Sequence, residues 1–526
     1  MATKKISELP TAVSPISTDK IVIVRVGTTY QALMVNEDTI QDGSTYKKVN
    51  AVVATALNTG TYGYLYDGIS WDENTDTYVR LGRTATADPN YLTVQKGMRR
   101  CVVTDAGEVA YYLFPTNSAL KEDGVTASVL DGTDGQVMVE IPKFYYQYSY
   151  VGTVHTWKIS ELKLAGFEVH PLFLSGTTEL SKAFVGAFEA SLYDVSASKY
   201  VGEVGLSASA ATFASADKSI TCTALTAPFT NMIVGTKIVV SGASAGNNGT
   251  RTVVTVAAQK ITIAEAVTDE TIADTTIVLE KDVTATTGDK LASVSAVPAC
   301  ILITRAQARV LASNRGTGWT QLTYDMESAI QLLYLIEYNS FYSQNKIGAG
   351  ITNVTDWAVY NNYYPISKGG NSVPIGNTTG NTAGAASAAT ESTKYISYRG
   401  IENPFGHIWK WVDGININNN IAYVCNVRAD LADNTASNYT LIGTLINNNG
   451  YQNTLLATSR GFLPKTVGAN SATKITDYYY QFTNWRVVAV GGAADNGASA
   501  GFFAWLCSYA SAAALRNIGA RLGLLK

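Results

Sequence analysis

The side chains that could do acid–base or metal chemistry are few in this chain of 526 residues. The three histidines are His155, His170 and His407. Their spacings match neither HExxH nor the i,i+4 pair that points two imidazoles at one zinc ion. The sequence has no GxSxG nucleophile motif, no phosphate-binding loop and no GxGxxG after a predicted strand. We therefore predict no catalytic residues, no cofactor and no zinc site.

Glycan cleavage needs paired carboxylates, and acidic residues cluster in two places. Asp131 and Asp134 lie in DGTDGQ, which is shorter than an EF-hand loop, so we expect a turn and leave calcium binding open. The other cluster lies in a predicted hairpin, where Asp is common because its side chain bonds the turn backbone. A β-helix depolymerase would show a coil repeat, and none is found. The members of the second cluster are Asp67, Asp72, Glu73 and Asp76.

The cysteines are odd in number, far apart and never in a CxxC pair, so disulfides are not expected. Each is predicted to be a small buried apolar side chain. Cys507 has no histidine near it in sequence to activate it, which makes a nucleophilic role the weaker alternative. The five are Cys101, Cys222, Cys300, Cys425 and Cys507.

Composition excludes several classes of protein. Charged residues make up 15% of the chain, and the formal net charge is −3, without the basic patch that nucleic acid binding requires. No apolar run is long enough to cross a bilayer. The start, MATKKISELPTAV, lacks the apolar core of a signal peptide, so we expect synthesis in a cytosol without export by that route. Tyr (31) and Gly (44) are abundant, which favours a β-rich binding protein.

Alternating apolar and polar residues predict hairpins at 67–82, at 98–115 and around the turn at Gly152. Two helices are predicted further on. Thr304 can cap the first, and the second runs from about Tyr324 to Tyr338 with one buried face. The fold class is therefore α+β and β-rich.

Four regions are expected along the chain. Residues 1–45 read as an extended segment with a small hairpin, too short to fold alone and therefore expected to dock on another subunit or a larger assembly. Residues 46–203 and 283–526 are two parts of one host domain. Residues 204–282 alternate Thr, Val and Ile, contain no Tyr or Trp, and are predicted to form a small all-β module inserted into the host. Residues 366–393 are a low-complexity polar loop.

The segment GIENPFGHIWKWVDGI resembles a signature of formylglycine-generating-enzyme-like domains, which have a C-type-lectin-like fold. In this segment His407 and Lys410 stand where the signature has Asn and Glu. SRGFLP and the later NIGARL resemble the closing strands of that fold. The resemblance therefore implies a C-type-lectin-like domain, but the family's cysteine or copper site has only the isolated Cys507 here. The matching positions are Asn403, Gly406, Ile408, Trp409, Trp411, Asp413, Ile518, Gly519 and Arg521.

The whole arrangement is similar to bacteriophage tail fibre and receptor-binding proteins whose C-terminal lectin-like domain is diversified. TKKISELP and DKIVIV resemble the N-terminal virion-attachment peptide of tail fibres. The resemblance implies a homotrimer in the virion tail, assembled in the host cytoplasm. It further implies that residues 1–45 bind other tail proteins and that the C-terminal domain binds a bacterial surface glycan or protein, without nucleic acid binding or membrane insertion.

Within that resemblance, the stretch 491–524 is the expected binding surface. Glycines set its turns, and small residues at 510–514 would make a surface that tolerates substitution. Period two places Phe503, Trp505 and Cys507 on one strand face and Leu506 with Ser508 on the other; the sequence does not say which face meets solvent. The candidate receptor contacts are Trp485, Asp495, Asn496, Trp505, Ser508, Tyr509, Arg516 and Asn517.

Three hypotheses stay open. The first is a non-enzymatic phage adhesin, and the second is a purely structural virion protein with the same fold. The third is a formylglycine-generating-type enzyme or a glycan hydrolase, which a second cysteine close to Cys507 or a pocket lined by two carboxylates would favour.

Overall fold

The computed structural model describes residues 20–26, 29–35, 65–86, 91–202, 205–208, 210–223, 228–229, 232–273, 277–281, 288–354, 367–381 and 394–526. The predicted β-rich α+β class is confirmed. Most of the N-terminal segment predicted to attach to the virion lies outside the described residues. Its predicted hairpin is present, because β1 (Lys20–Val26) pairs with β2 (Thr29–Val35) in antiparallel register.

A five-stranded antiparallel sheet follows in the order β11-β9-β10-β3-β4. The predicted hairpin at 67–82 forms here, with Trp71 opposite Tyr78, and so does the hairpin that turns at Gly152. Buried Trp71 and Trp157 lie in the main core. The strands are β3 (Asp67–Asp72), β4 (Thr77–Gly82), β9 (Tyr145–Val151), β10 (Val154–Ser160) and β11 (Glu168–Val169).

A seven-stranded sheet joins distant parts of the chain in the order β26-β39-β14-β8-β5-β6-β7. Strand β39 pairs with residues 183–185 and 319–321, so it joins segments that are far apart in the chain. The predicted hairpin at 98–115 is confirmed. The strands are β5 (Arg99–Val103), β6 (Val109–Phe114), β7 (Asn117–Lys121), β8 (Gln136–Ile141), β14 (Ala183–Gly186), β26 (Trp319–Gln321) and β39 (Leu522–Leu525).

A second large sheet carries the C-terminal region. Its strand order is β32-β31-β30-β36-β37-β35-β33-β34, with β38 added parallel to β30. The strands are β30 (Trp409–Asn418), β31 (Ile421–Val424), β32 (Thr440–Thr444), β33 (Gly450–Leu455), β34 (Pro464–Val467), β35 (Ile475–Gln481), β36 (Trp485–Val490), β37 (Trp505–Tyr509) and β38 (Ile518–Gly519).

Smaller sheets complete the host domain. The order β16-β15-β25 and the order β27-β28-β29 are both three-stranded. The strands are β12 (Leu174–Ser175), β13 (Thr178–Glu179), β15 (Ser191–Asp194), β16 (Lys199–Val201), β25 (Lys290–Ala292), β27 (Gly380–Asn381), β28 (Ile396–Tyr398) and β29 (Ile401–Glu402).

The stretch 205–281 forms a sheet of its own in the order β17-β24-β20-β21-β22-β19-β18-β23. Its buried apolar residues, from Ala211 to Leu279, cluster separately from the host core. The strands are β17 (Gly205–Ala208), β18 (Ala211–Ala214), β19 (Ser219–Thr221), β20 (Lys237–Ser241), β21 (Gly249–Val256), β22 (Lys260–Ile263), β23 (Glu270–Ile272) and β24 (Ile277–Lys281).

The two longer helices lie where the sequence predicts them. Thr304 caps the first through a capping box with Gln307. The second is buried from Tyr324 to Ile336, so the prediction of a single buried face is wrong; sheets pack around the helix. The helices are α1 (Arg83–Thr86), α2 (Thr93–Gly97), α3 (Arg305–Ser313), α4 (Tyr324–Tyr338) and α5 (Ser343–Ile347). Among the described residues, no helix is long and apolar enough to cross a membrane.

Candidate functional site

The C-terminal sheet has apolar residues on both faces. One face of β36 and β37 packs into the main core through Val488, Trp505 and Cys507. The opposite face packs into a second cluster that contains Val487 and Leu506. Residues 491–504, which we call the anchored loop, connect β36 to β37 and therefore start and end on a frame that is buried on both sides.

The backbone of the anchored loop is held by buried amide side chains from the frame. Gln344 Nε2 on α5 donates to the carbonyls of Gly497 and Ala500, at 2.7 Å each. Gln331 Nε2 on α4 donates to the carbonyl of Phe502 at 2.7 Å. Gln452 Nε2 on β33 donates to the carbonyl of Phe503 at 2.6 Å. These bonds fix the course of the loop without using its own exposed side chains.

Acceptors from the frame hold the N–H groups of the same loop. Asp477 Oδ2 accepts from the N–H of Phe503 at 2.8 Å, and Ser343 Oγ accepts from the N–H of Phe502 at 3.2 Å. The N–H of Gly497 donates to the carbonyl of Thr352 at 2.6 Å. Burial raises the pKa of Asp477 well above its usual value.

The anchoring residues were missed from the sequence, although a signal was present. Gln331 interrupts the apolar run AIQLLYL, and Gln452 lies in a strand beside aromatic residues. A polar side chain at a buried position needs a hydrogen-bond partner, and here both partners are carbonyls of the anchored loop.

Two predicted contact residues lie inside the protein. Trp505 is 0% exposed; its Nε1–H donates to the carbonyl of Phe462 at 2.9 Å. Arg516 is also buried. Neither side chain presents a surface to a receptor in this conformation. Trp505 is enclosed because β37 is a central strand covered on both faces, and Arg516 is enclosed in the segment before β38.

The other six candidates are half-buried and are spread over β36, the anchored loop, β37 and the segment before β38. The rings of Trp485 and Tyr423 are tilted toward each other, with centroids 6.3 Å apart. Tyr509 lies opposite Val487, which is on the same strand as Trp485. Asp495 lies in the anchored loop, and burial raises its pKa. The half-buried candidates are Trp485, Asp495, Asn496, Ser508, Tyr509 and Asn517.

A bulge changes which residues of β37 share a face. Val487 pairs with Tyr509 while Ala489 pairs with Leu506, so the register shifts by one residue between these pairs. Strict period two would group Leu506 with Ser508, but the bulge places Tyr509 with Leu506, and both pack in the second cluster. The alternation predicted for this strand is therefore wrong at its end.

A tyrosine cluster that the sequence analysis did not select lies beside the anchored loop. Tyr478 and Tyr480 share a face of β35, and their ring centroids are 4.6 Å apart. Tyr451 meets Tyr478 edge-on at 5.1 Å, and its hydroxyl lies 3.2 Å from Ser499 Oγ of the anchored loop. All three tyrosines are half-buried. The alternation in ITDYYYQ, with Tyr479 fully buried between them, was the available signal.

Segment 510–515 follows β37 and contains exposed and half-buried residues. Ala510 and Ala512 are exposed, and Ser511, Ala513 and Ala514 are half-buried. Just after this segment, the backbone is bonded to β30, because the carbonyl of Asn517 accepts a hydrogen bond from the N–H of Trp409 at 2.8 Å.

His407 and Lys410, which depart from the signature, compensate one buried carboxylate. Both contact Glu189: His407 through Nδ1, and Lys410 with Nζ 3.0 Å from Oε1. Burial alone would raise the pKa of Glu189, but His407 and Lys410 outweigh it and hold that pKa at about 2. Burial lowers the pKa of Lys410 to about 8. The group is enclosed, so its role is structural.

The remaining chemical candidates are also in structural roles. Cys507 is fully buried and burial raises its pKa, which opposes thiolate formation. All five cysteines are buried, and none of them forms a disulfide. In the part of the chain that the structure describes, no three His, Cys, Asp or Glu side chains are grouped so that they could hold a metal ion.

The carboxylates of the hairpin at 67–82 bond to other side chains of the protein. Asp67 pairs with Arg83 at 2.8 Å, and Glu73 Oε2 lies 3.1 Å from His155 Nε2. Asp76 accepts from Trp71 Nε1 at 3.0 Å.

No protein-family model matches the chain, and no curated protein matches it.

Proposed function

We propose that the chain is a non-enzymatic adhesin of a bacteriophage tail that binds a bacterial surface glycan or protein through its C-terminal region. The observation that carries this proposal is the anchored loop, whose backbone is bonded by Gln331, Gln344, Gln452 and Asp477 of the frame. A loop fixed in this way can change its exposed side chains without losing its shape, which suits a surface that must adapt to different receptors.

Aromatic side chains supply the contact area for the proposed binding face. Tyr451, Tyr478 and Tyr480 border the anchored loop, and Trp485 with Tyr423 lies on the same sheet. Half-buried aromatic rings give a large contact at low cost in side-chain entropy. The proposed contacts are therefore Trp485, Asp495, Asn496, Ser508, Tyr509 and Asn517, extended by the tyrosine cluster.

A C-type-lectin-like fold for this region is part of the proposal. Its support is that the two segments carrying the resemblance are neighbours: Trp409 and Lys410 pair in parallel with Ile518 and Gly519. Trp411, the next residue of β30, is fully buried. Attachment to other tail proteins through residues 1–45 and assembly as a homotrimer in the virion also remain proposals that rest on the resemblance.

The test compares the binding of the purified protein to whole host cells with that of a variant whose proposed binding face is blocked by substitutions. Ser499→Arg combined with Ala512→Arg adds one bulky charge to the anchored loop and one to segment 510–515. We expect binding to weaken at least ~10-fold, which corresponds to the loss of about 1.4 kcal/mol of binding free energy. Val125→Arg places the same side chain at an exposed position in the turn after β7, away from the C-terminal sheet, and is the control. Equal binding by all three proteins would defeat the adhesin proposal and favour a purely structural virion role.

A further inference from the structure

A cleft of about 730 Å³ lies away from the proposed binding face, and no residue of the anchored loop lines it. One wall is the turn before β8, from Asp131 to Gly135, and another is the hairpin of β15 and β16 with Tyr193 and Tyr200. Lys290 and Arg315 close the remaining side. The volume is within the range of small-molecule sites, roughly 300–1,000 Å³.

Two tyrosine rings form the aromatic part of this cleft. The ring centroids of Tyr193 and Tyr200 are 4.8 Å apart and the planes are tilted by 57°. The Tyr200 hydroxyl donates to the carbonyl of Gly132 at 3.1 Å. A Cβ at Gly132 would clash with the Tyr200 ring, so the glycine allows this close approach. The ring of Tyr200 is therefore held in place before any ligand arrives.

The polar part of the cleft offers both acceptors and donors. Asp131 Oδ1 accepts from the N–H of Thr133 at 3.0 Å, and Asp134 Oδ2 accepts from Tyr111 at 2.9 Å. Each carboxylate keeps further acceptor capacity, because an ionised carboxylate has about four lone-pair sites.

Lys290 supplies the accessible donor. Its side chain is 28% exposed, and its Nζ lies 2.9 Å from Asp105 Oδ2. Arg315 has a side chain only 2% exposed, which contacts Asp105 through Nη1. Its Nε donates to the carbonyl of Leu291 at 2.8 Å, and its Nη2 is too deeply buried to contact a ligand in the cleft.

We propose that this cleft binds an uncharged saccharide of one or two sugar units. A sugar hydroxyl both donates and accepts, so it matches the carboxylates and the Lys290 ammonium at once. The C–H face of a pyranose is apolar and fits against a tyrosine ring. The lining acids Asp105, Asp131 and Asp134 outnumber Lys290 and Arg315, which disfavours an anionic ligand.

Two of the three carboxylates that line the cleft, Asp105 and Asp131, are suited to holding a sugar rather than to donating a proton to it. The N–H of Thr133 lowers the pKa of Asp131. Burial would raise the pKa of Asp105, but Arg315 and Lys290 outweigh it and lower that pKa. Glycoside hydrolysis needs one carboxylic acid kept protonated near neutral pH, and both of these groups are held ionised.

The experiment is saturation-transfer difference NMR on the full chain. The probes are lactose, maltose, cellobiose and diacetylchitobiose, with galacturonic acid as the anionic comparison. We expect at least one neutral sugar to bind and Tyr193→Ala to weaken it ~10-fold, the loss of one stacking contact. Thr133→Trp fills the cleft from an exposed position and should abolish the signal.

Matched controls separate the cleft from the rest of the surface. Asp131→Asn should weaken binding, whereas Asp123→Asn, which removes an equivalent turn carboxylate outside the cleft, should not. Binding only of galacturonic acid, no binding of any neutral sugar, or neutral binding unaffected by Thr133→Trp would overturn the proposal. Cell binding through the anchored loop is unaffected by these outcomes, because none of these residues lies in that loop.

Discussion

At the scale of single residues, the buried polar side chains decide where the binding face can form. The side-chain amides of Gln331, Gln344 and Gln452 donate hydrogen bonds to carbonyls of the anchored loop. Asp477 accepts from a loop N–H. Each of these bonds links a distant element to the loop, so the loop's conformation depends on residues up to 171 positions away. The residues that fix the loop are therefore different from those that it exposes.

Gln452→Leu tests this dependence directly. The substitution keeps the side-chain volume but leaves the carbonyl of Phe503 without its buried donor. We expect the free energy of unfolding to fall by about 1–3 kcal/mol, measured by urea denaturation. Asn453→Ala, at the neighbouring half-buried position, should change it much less. Equal effects of the two substitutions would show that the amide bond to the loop contributes little.

Asp477→Asn tests the charge state of the buried carboxyl. Because burial raises the pKa of Asp477, the folded chain keeps a proton that the unfolded chain releases above about pH 3.9. The native state then binds more protons, so the free energy of unfolding falls as pH rises toward the folded pKa. Asn cannot titrate, so the stability of the variant relative to the original chain should increase from pH 5 to pH 8.

The matched control for this titration is Asp123→Asn. Hydrogen bonds from Thr126 and Val125 lower the pKa of Asp123, so its carboxyl is ionised in both folded and unfolded chains over that interval. Its stability difference from the original chain should stay constant between pH 5 and pH 8. A flat difference for Asp477→Asn as well would mean that Asp477 is ionised in the folded protein.

At the scale of elements, the anchored loop and α4 are in direct contact, and each helps to fix the position of the other. The helix is buried from Tyr324 to Ile336, polar residues included. Its Gln331 side chain donates a hydrogen bond to the carbonyl of Phe502 in the anchored loop. Next to Phe502, Gly501 packs directly against the carboxylate of Asp477. Positions in one loop therefore differ sharply in their tolerance of substitution.

Gly501→Ala and Ala498→Ser test that difference. A Cβ at Gly501 would clash with the Asp477 carboxylate, and overpacking of this kind costs about 1–3 kcal/mol. Ala498 is exposed, so Ala498→Ser should change stability by less than about 0.5 kcal/mol. Thermal unfolding measures both. If Ala498→Ser were as damaging as Gly501→Ala, the exposed part of the loop would have a packing role.

At the scale of the whole molecule, residues 205–281 have a core of their own but join the host at a narrow base. Leu192 of β15 pairs with Val201 on one side and Leu291 on the other. The ends of the insertion therefore leave from strands that flank one strand, about 10 Å apart. Ile233 packs against host residues, and Lys199 Nζ donates to the carbonyl of Val234 at 2.8 Å.

Replacing residues 203–287 by a Gly–Ser linker of about six residues should leave a folded host. Such a linker spans the gap between β16 and β25, since an extended residue covers about 3.3 Å. We expect a loss of about 1–2 kcal/mol of host stability from the missing Ile233 contact. Near-ultraviolet circular dichroism and calorimetry check this. Aggregation or loss of the aromatic signal would show that the host needs the insertion to fold.

The sequence by itself determined the local features whose causes are local. Alternation and turn residues gave the hairpins at 67–82 and 98–115, and Thr304 with Gln307 gave the cap of α3, because these depend on neighbours in the chain. Tertiary structure decided the rest. The burial of Trp505 follows from the central place of β37 in its sheet. The bulge opposite Val487 decides which face Tyr509 joins. The cleft at Tyr193 and Tyr200 brings together segments from residue 104 to residue 315, an approach that composition and periodicity do not encode.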